Sequence, residues 1–133
     1  MDIRTRYGIL IVALAGLARA DRLAGQQPDS LPAGVTPAMV AQGKKLFTGD
    51  ALCFSCHGPE GRGLVGPDLT DSVWLFGNGT FEEIVARILE GVPANKSKNG
   101  VVMPPKGGSK IKDDQVRAVA AYVWSLSRQA GKK

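Results

Sequence analysis

The sequence predicts a small all-α domain made of three main helices joined by long loops. Three segments combine a helix start signal with apolar residues at helical spacing, and no segment has the alternating pattern of a strand. The 17 glycines and 8 prolines concentrate between the predicted helices, which indicates turns. A chain of 133 residues leaves room for one domain.

The first predicted helix lies in the segment TPAMVAQGKKLF. Thr36 is a favourable N-cap, Pro37 suits the first helical position, and the helix is predicted to end near Phe47. Gly43 lies inside it, at a cost of about 0.5–1 kcal/mol relative to alanine. A glycine is useful at such a position where a second helix crosses closely, so we expect a crossing at Gly43.

The second predicted helix lies in TFEEIVARILEG. Thr80 and Glu83 have the spacing of a capping box, Gly91 ends the helix, and Pro93 prevents its return. Apolar residues recur at helical spacing on one face. They are Phe81, Ile84, Val85, Ile88 and Leu89.

The third predicted helix lies in DDQVRAVAAYVWSLS. Asp113 and Asp114 suit the positive end of a helix dipole. The residues expected on its apolar side are Val116, Val119, Ala120, Tyr122, Val123 and Leu126.

The N-terminal segment is typical of a secretory signal peptide. Arg4 and Arg6 precede an uncharged run over residues 7–18, which is shorter than the about 20 apolar residues that a membrane span needs. The small residues of ARA then predict cleavage before Asp21. We therefore expect residues 1–20 to direct export to the periplasm; the alternative is an uncleaved signal anchor.

The rest of the chain divides into three predicted parts. Residues 21–35 are polar and rich in proline and glycine, which predicts a flexible leader. Residues 36–128 form the folded domain, and residues 129–133 are predicted to be a disordered tail. Without residues 1–20, 14 basic and 11 acidic residues remain. This mild charge, with no basic helix carrying interleaved aromatics, argues against nucleic-acid binding. Membrane contact is expected only through a partner or an uncleaved signal.

Both cysteines and the single histidine lie within five residues, in CFSCH. Cys53, Cys56 and His57 could serve a disulfide, a thioredoxin-like redox pair, a zinc site or covalent haem attachment. A closed zinc site needs four ligands, and only three are present. The C-x-x-C-H order is typical of haem attachment, because the i, i+3 spacing puts both thiols on one side of a helical turn. The histidine then follows as the proximal ligand of the iron.

The long loops favour haem attachment over a disulfide. Loops longer than about 12–15 residues are uncommon in compact domains unless something organises them, and aromatic residues make up only 6% of the chain. A large apolar cofactor would complete such a core, whereas a disulfide closing a tiny loop would stabilise it little. The single motif predicts one haem c per chain, bound covalently through Cys53 and Cys56.

An ordered set of motifs makes residues 36–127 resemble the class I c-type cytochromes. The set comprises Gly43 with Phe47, CFSCH, GPDL at residues 66–69, MPP at 103–105 and VAAYVWSL at 119–126. LTDSVWLFGNGT is similar to the haem domains of the third subunit of cbb-type haem–copper oxidases. Those subunits are membrane-anchored and carry two haems, so we expect a relative of the domain and not the subunit itself. Lys112 departs from the family, which usually has Ser or Thr there.

The resemblance implies a class I cytochrome c fold wrapped around one haem, and it implies roles for particular residues. His57 is the proximal ligand, and the carbonyl group of Pro67 accepts its other ring N–H. Met103 is the distal ligand, whereas Met39 lies on a helix and is expected in the core. Trp74 either hydrogen-bonds a haem propionate or lines the pocket. Further pocket wall is expected from Leu69, Ile84, Ile88 and Val102.

These roles imply electron transfer rather than catalysis. With both axial positions filled, substrates have no easy access to the iron, and the sequence shows no general base or nucleophile. We expect an exported mono-haem cytochrome that carries single electrons between redox partners and is not an enzyme. The alternatives are a haem subunit of a periplasmic dehydrogenase or oxidase complex, and a five-coordinate, gas-binding haem protein.

A lysine-rich segment surrounds Met103. Residues 91–112 contain five lysines and no acidic residue. If Met103 lies over the haem, these lysines are expected near the exposed haem edge, where they would attract an acidic redox partner. The alternative is an ordinary solvated loop. The five are Lys96, Lys98, Lys106, Lys110 and Lys112.

Overall fold

The structure is a computed structural model that describes residues 30–129. The predicted signal peptide, residues 21–29 of the leader and residues 130–133 of the tail lie outside the described residues. The described part contains no strand, and an isolated antiparallel bridge joins Val92 to Met103. The helices are α1 (Pro37–Phe47), α2 (Phe54–His57), α3 (Phe81–Glu90) and α4 (Asp113–Gln129), and two 3-10 turns span Ala94–Lys96 and Pro105–Gly108. The predicted all-α class is confirmed.

Side chains cap the helices at the predicted ends. Thr36 Oγ1 accepts a hydrogen bond from the backbone of α1 at 3.2 Å. At α3, Thr80 Oγ1 accepts from the N–H of Glu83 at 3.3 Å, and the Glu83 carboxylate accepts from the N–H of Thr80 at 3.0 Å. At α4, the Lys112 N–H donates to Gln115 Oε1 at 2.9 Å. Gln115 therefore supplies the half of a capping box that accepts from the residue before the helix, while Lys112 lacks the hydroxyl group for the other half.

The folded domain begins before residue 36. Val35, predicted to lie in the flexible leader, is buried in the core, and its N–H donates to the Pro32 carbonyl oxygen at 3.0 Å. Leu31 packs against the same core. The end of the predicted leader thus belongs to the domain, because its apolar side chains gain burial there. At the other end, α4 includes Gln129, the first residue of the predicted tail.

Helices α1 and α4 cross with their backbones nearly in contact. A Cβ atom on Gly43 would overlap the carbonyl oxygen of Ala118 and lie 2.9 Å from the Cβ of Tyr122. One turn further along α1, the Phe47 ring meets the Tyr122 ring edge to face, with centroids 5.4 Å apart. The predicted crossing at Gly43 is confirmed, and the close packing offsets the helix cost of this glycine.

Helix α3 packs beside this crossing, against α4. Arg117 of α4 donates two hydrogen bonds to the Glu82 carboxylate, at 2.9 and 3.1 Å, and its guanidinium lies 4.8 Å from the centre of the Phe81 ring. Within residues 30–129, no helix has the length and apolarity needed to span a bilayer. An open cavity borders the core, and Ile84 and Ile88 of α3 and Val119 and Val123 of α4 line it there.

Replacing Gly43 with alanine is expected to lower the free energy of unfolding by about 1–3 kcal/mol, because the added methyl group must push α1 and α4 apart. Helix propensity alone predicts the opposite sign, a gain of about 0.5–1 kcal/mol. Guanidinium denaturation of the matured protein measures the difference. Gln42→Ala, on the exposed side of α1, is the control and should change stability by less than about 0.5 kcal/mol. A Gly43→Ala variant as stable as the parent would contradict the tight crossing.

Candidate haem-binding site

The CFSCH segment forms the single helical turn that its spacing predicts. Cys53 is the N-cap of α2, and its carbonyl oxygen accepts a hydrogen bond from the His57 N–H at 3.0 Å. Leu52, immediately before, has a left-handed φ of 58°. This sharp turn leads the chain from the end of α1 into α2, so that Cys53, Cys56 and His57 all line the cavity.

His57 is buried and held by the loop that follows it. Its Nδ1 lies 2.9 Å from the Pro67 carbonyl oxygen, the contact that the resemblance implies. A carbonyl oxygen can only accept, so Nδ1 carries the proton and Nε2 has a free lone pair. Burial lowers the pKa of His57, and the hydrogen bond to Pro67 opposes this in part. The neutral imidazole that results is the form that binds a metal.

The position of the His57 ring also requires a glycine at residue 66, which packs closely against it. A Cβ atom on Gly66 would lie 2.9 Å from His57 Cε1 and 3.1 Å from the Cys56 carbonyl oxygen. The N–H of Gly66 donates to that same carbonyl oxygen at 2.9 Å. The Gly66–Pro67 pair therefore brings the loop close enough for the Pro67 carbonyl group to reach the imidazole.

Met103 lines the same cavity from a loop fixed at the end of α3. Its N–H donates to the Val92 carbonyl oxygen at 2.9 Å, and the N–H of Val92 donates back at 2.8 Å. Gly91 has a φ of +73°, and a Cβ atom there would overlap the Met103 carbonyl oxygen. The glycine that ends α3 therefore also lets the loop of residues 103–108, the methionine loop, pack against it.

Most of the cavity wall is apolar. Leu69, Ile84, Ile88 and Val102, predicted as wall, all line it. Trp74 lines it too, and a Cβ atom on Gly79 would overlap the indole, so that glycine lets the ring lie flat against the backbone. Sequence reasoning missed several exposed wall residues, because single apolar residues in glycine-rich loops have no period. They are Leu52, Val65, Val73, Leu75 and Val101.

Arg87 is a cavity-lining cation that sequence reasoning also missed. Its guanidinium lies over the Phe76 ring, 4.4 Å from the centroid. Its Nη1 makes a long contact of 3.4 Å with the Gly91 carbonyl oxygen, whereas its buried Nε has no hydrogen-bond partner among the described residues. A buried N–H of this kind costs free energy unless it is paired. An anionic group in the cavity would pair it.

The structure favours haem over a disulfide, a redox pair or zinc at the CFSCH motif. Cys53 and Cys56 are not joined by a disulfide. Burial raises the pKa of the Cys53 thiol to about 11, whereas a redox-active pair requires a lowered pKa. Residues 30–129 contain no cluster of three or more His, Cys, Asp or Glu side chains placed to hold a metal ion. Two thiols, a neutral imidazole and a thioether around an apolar cavity with a buried arginine N–H fit haem, with its apolar macrocycle and its propionates.

The lysine-rich segment differs from the expectation at one residue. Lys96, Lys98, Lys110 and Lys112 are exposed. Lys106 is half-buried, and its ammonium donates to Asp113 Oδ1 at 2.8 Å and to the Ile111 carbonyl oxygen at 3.1 Å. Of the five lysines, Lys106 is therefore the one whose ammonium is already engaged, by the carboxylate that follows the acid-free segment by one residue.

The comparisons with known proteins agree with the site. A family model described as Cytochrome c matches residues 40–127, more than half of the chain. A cbb3-type cytochrome c oxidase subunit CcoP of Rubrivivax gelatinosus is 36% identical over 89 residues, which cover 65% of this chain and 25% of the relative. CcoP of Rhodobacter capsulatus is 34% identical over 114 residues, which cover 79% and 33%.

A subunit FixP of a cbb3-type cytochrome c oxidase from Bradyrhizobium diazoefficiens is 36% identical over 126 residues, 87% of this chain and 42% of the relative. The chain thus spans less than half of the length of each of these three relatives. No solved structure matches the chain. The family match and the site together show that the chain belongs to the cytochrome c family and carries a covalently bound haem c on the motif of Cys53, Cys56 and His57.

Proposed function

We propose that the chain is an exported, mono-haem electron carrier in which His57 and Met103 are the axial ligands of the iron. The observation that carries the proposal is that the haem-attachment motif and Met103 line one cavity, although a long loop and α3 separate them in the chain. The hydrogen bond of His57 to Pro67 supports it further, because a ligating histidine commonly donates its second N–H to a fixed acceptor.

Each group of the site has a distinct task in this proposal. Haem c, when bound, supplies an iron that takes up and releases one electron. Cys53 and Cys56 hold the group covalently, and His57 presents Nε2 to it. The Met103 thioether would be the second ligand of the iron, and thioether ligation stabilises the ferrous state and raises the reduction potential. The apolar wall limits the access of water to the haem, and this also raises the reduction potential.

Export and partners belong to the same proposal. The pattern of residues 1–20 supports export to the periplasm. The relatives are named as oxidase subunits, and this favours a second candidate function: a haem subunit that passes electrons within an oxidase complex. Purification from the native membrane and soluble fractions distinguishes the two. A larger oxidase that co-elutes with the chain supports the subunit, and a chain that elutes alone supports the free carrier.

Replacing Met103 with alanine is expected to open the sixth coordination position while the haem stays attached. The weak near-infrared sulfur-to-iron band of the ferric protein should disappear, carbon monoxide should bind the ferrous form, and the potential should fall. Met39→Ala is the control, because Met39 packs on α1 against the core and does not line the cavity. If Met103→Ala kept the band and the potential of the parent, Met103 would not be the ligand. The retained band would show that another sulfur atom fills the sixth position, which would still contradict the five-coordinate, gas-binding alternative.

Arg87 is the proposed counterion of a haem propionate. Arg87 lines the cavity, and its buried Nε has no hydrogen-bond partner among the described residues. Of the cavity-lining carboxylates, Glu83 already accepts from the backbone of Asn78 and Thr80. A guanidinium stabilises an ionised carboxylate and so holds the propionate pKa low. The charge near the iron would then stay constant with pH over the physiological range.

Arg87→Gln is expected to make the midpoint potential depend on pH. Without the guanidinium, the propionate pKa rises into the range of pH 5–8, and its protonation at the lower end raises the potential, since losing a negative charge disfavours the ferric state. Spectroelectrochemical titration over this range measures the effect. Arg117→Gln is the matched control, because Arg117 also lies over a phenylalanine ring but outside the cavity. A pH profile of Arg87→Gln that superimposes on that of the control would remove the propionate role.

The docking surface for an acidic redox partner is proposed at the four exposed lysines, Lys96, Lys98, Lys110 and Lys112. Lys98 itself lines the cavity, which places positive charge at the haem site. Charges so placed steer an acidic partner and raise association rates by about 10–10³ at low salt. The steering should weaken as salt is added.

Changing Lys96 and Lys98 together to glutamate is expected to lower the second-order electron-transfer rate with an acidic acceptor about tenfold at low ionic strength, and to flatten its salt dependence. Stopped-flow absorbance against ionic strength measures both. Changing Lys44 and Lys45 of α1 to glutamate makes the same change in net charge on another surface and should have a much smaller effect. Equal losses in the two double variants would assign the effect to net charge and not to a docking surface.

A further inference from the structure

The contacts of Lys106 give it a task other than docking. Its ammonium donates to the Ile111 carbonyl oxygen at 3.1 Å and to Asp113 Oδ1 at 2.8 Å. Only 29% of the Lys106 side chain is exposed, whereas 80% of that of Asp113 is. Asp113 is the first residue of α4, Ile111 lies two residues before it, and Lys106 follows Met103 by three residues. The ammonium therefore links the methionine loop to that helix.

The backbone of Lys106 has a conformation that is unfavourable for a residue with a Cβ atom. Lys106 has a left-handed φ of 54°, and Gly107 and Gly108 follow with φ of 66° and 77°. A left-handed conformation costs a residue with a Cβ atom free energy, and glycine would adopt it freely. The chain nevertheless has a lysine there, in a turn closed by backbone hydrogen bonds from Gly107 to Pro104 and from Ser109 to Lys106, and a glycine could not make the two ammonium contacts.

The same loop is fixed at two other points. Met103 exchanges backbone hydrogen bonds with Val92 at the end of α3. A Cβ atom on Gly107 would lie 2.6 Å from the Ala51 carbonyl oxygen, so this glycine packs against the chain just before the haem motif. Residues 103–108 thus contact three parts of the domain. These are the end of α3, the chain just before the haem motif and, through Lys106, the start of α4. Lys106 is the side chain that provides the third attachment.

We infer that Lys106 is a positioning residue whose ammonium ties the methionine loop to the N-terminal end of α4 and keeps Met103 at the haem iron. The inference rests on the proposed ligation by Met103. Because the loop must open before an external ligand can replace Met103, the strength of the tie sets how readily such a ligand binds. The two prolines after Met103 stiffen the loop, so a tie at Lys106 acts directly on Met103.

Imidazole, added to the ferric protein and followed by absorbance, tests this inference. Lys106→Gln is expected to bind imidazole about tenfold more tightly than the parent, because losing hydrogen bonds to a charged group makes the opened loop more populated. Lys110→Gln is the matched control, since Lys110 is exposed in the same loop segment, and its imidazole affinity should equal that of the parent. The near-infrared sulfur-to-iron band of Lys106→Gln should also melt at a lower temperature than its far-ultraviolet circular dichroism.

A second set of variants tests the tie from the helix side without altering the loop backbone. Asp113→Asn should tighten imidazole binding about threefold, because it removes the negative charge that pairs with the ammonium. Asp113→Glu retains the carboxylate and should restore the parent affinity. Asp114→Asn removes an equivalent charge from the first turn of α4 and controls for the helix dipole.

The outcomes separate this inference from the proposed function. A parent protein without the sulfur-to-iron band would overturn ligation by Met103 and the tie with it. A parent that shows the band, with Lys106→Gln and Lys110→Gln equal in imidazole affinity, would overturn the tie alone. A Lys106→Gln variant that is less stable to guanidinium but unchanged toward imidazole would also overturn it, since Lys106 would then stabilise only the fold.

Discussion

Helices α1 and α4 meet at Gly43, where a side chain of any size would overlap the Ala118 carbonyl group. This contact joins the two ends of the domain, and the haem motif, α3 and the methionine loop all lie in the chain between them. Phe47, Val119 and Val123 belong to the buried core and also line the cavity. The crossing therefore forms one wall of the haem site, and a cofactor seated there completes a core that the helices alone leave open.

Backbone geometry, more than side-chain packing, places the two proposed ligands, His57 and Met103. Gly66 and Pro67 bring a carbonyl group to the His57 ring, and Gly91 lets the Met103 loop pack on the end of α3. Each glycine stands where a Cβ atom would collide with the opposite segment. Burial then favours the neutral imidazole by lowering the pKa of His57, so the fold both orients this side chain and favours the protonation state that can bind a metal.

Features with a local chemical signal could be predicted from the sequence. The caps at Thr36 and Thr80, the crossing at Gly43 and the CFSCH turn all follow from residue type and spacing. Features that depend on distant partners could not. Val35 is assigned to the leader from sequence because its burial depends on the assembled core. The engagement of Lys106 depends on acceptors at Ile111 and Asp113, and no sequence pattern marks Arg87, whose burial depends on the folded cavity. The resemblance supplied the role of Pro67, which the sequence itself marked only as a turn.

Covalent attachment of one haem at Cys53 and Cys56 underlies every role assigned to the residues of the site. Mass spectrometry of the matured chain, denatured and freed of non-covalent ligands by acid–acetone extraction, measures this directly. We expect the mass of the polypeptide plus one haem, and the mass of the polypeptide alone when both cysteines are replaced by serine. A matured parent chain at the mass of the bare polypeptide would contradict the account.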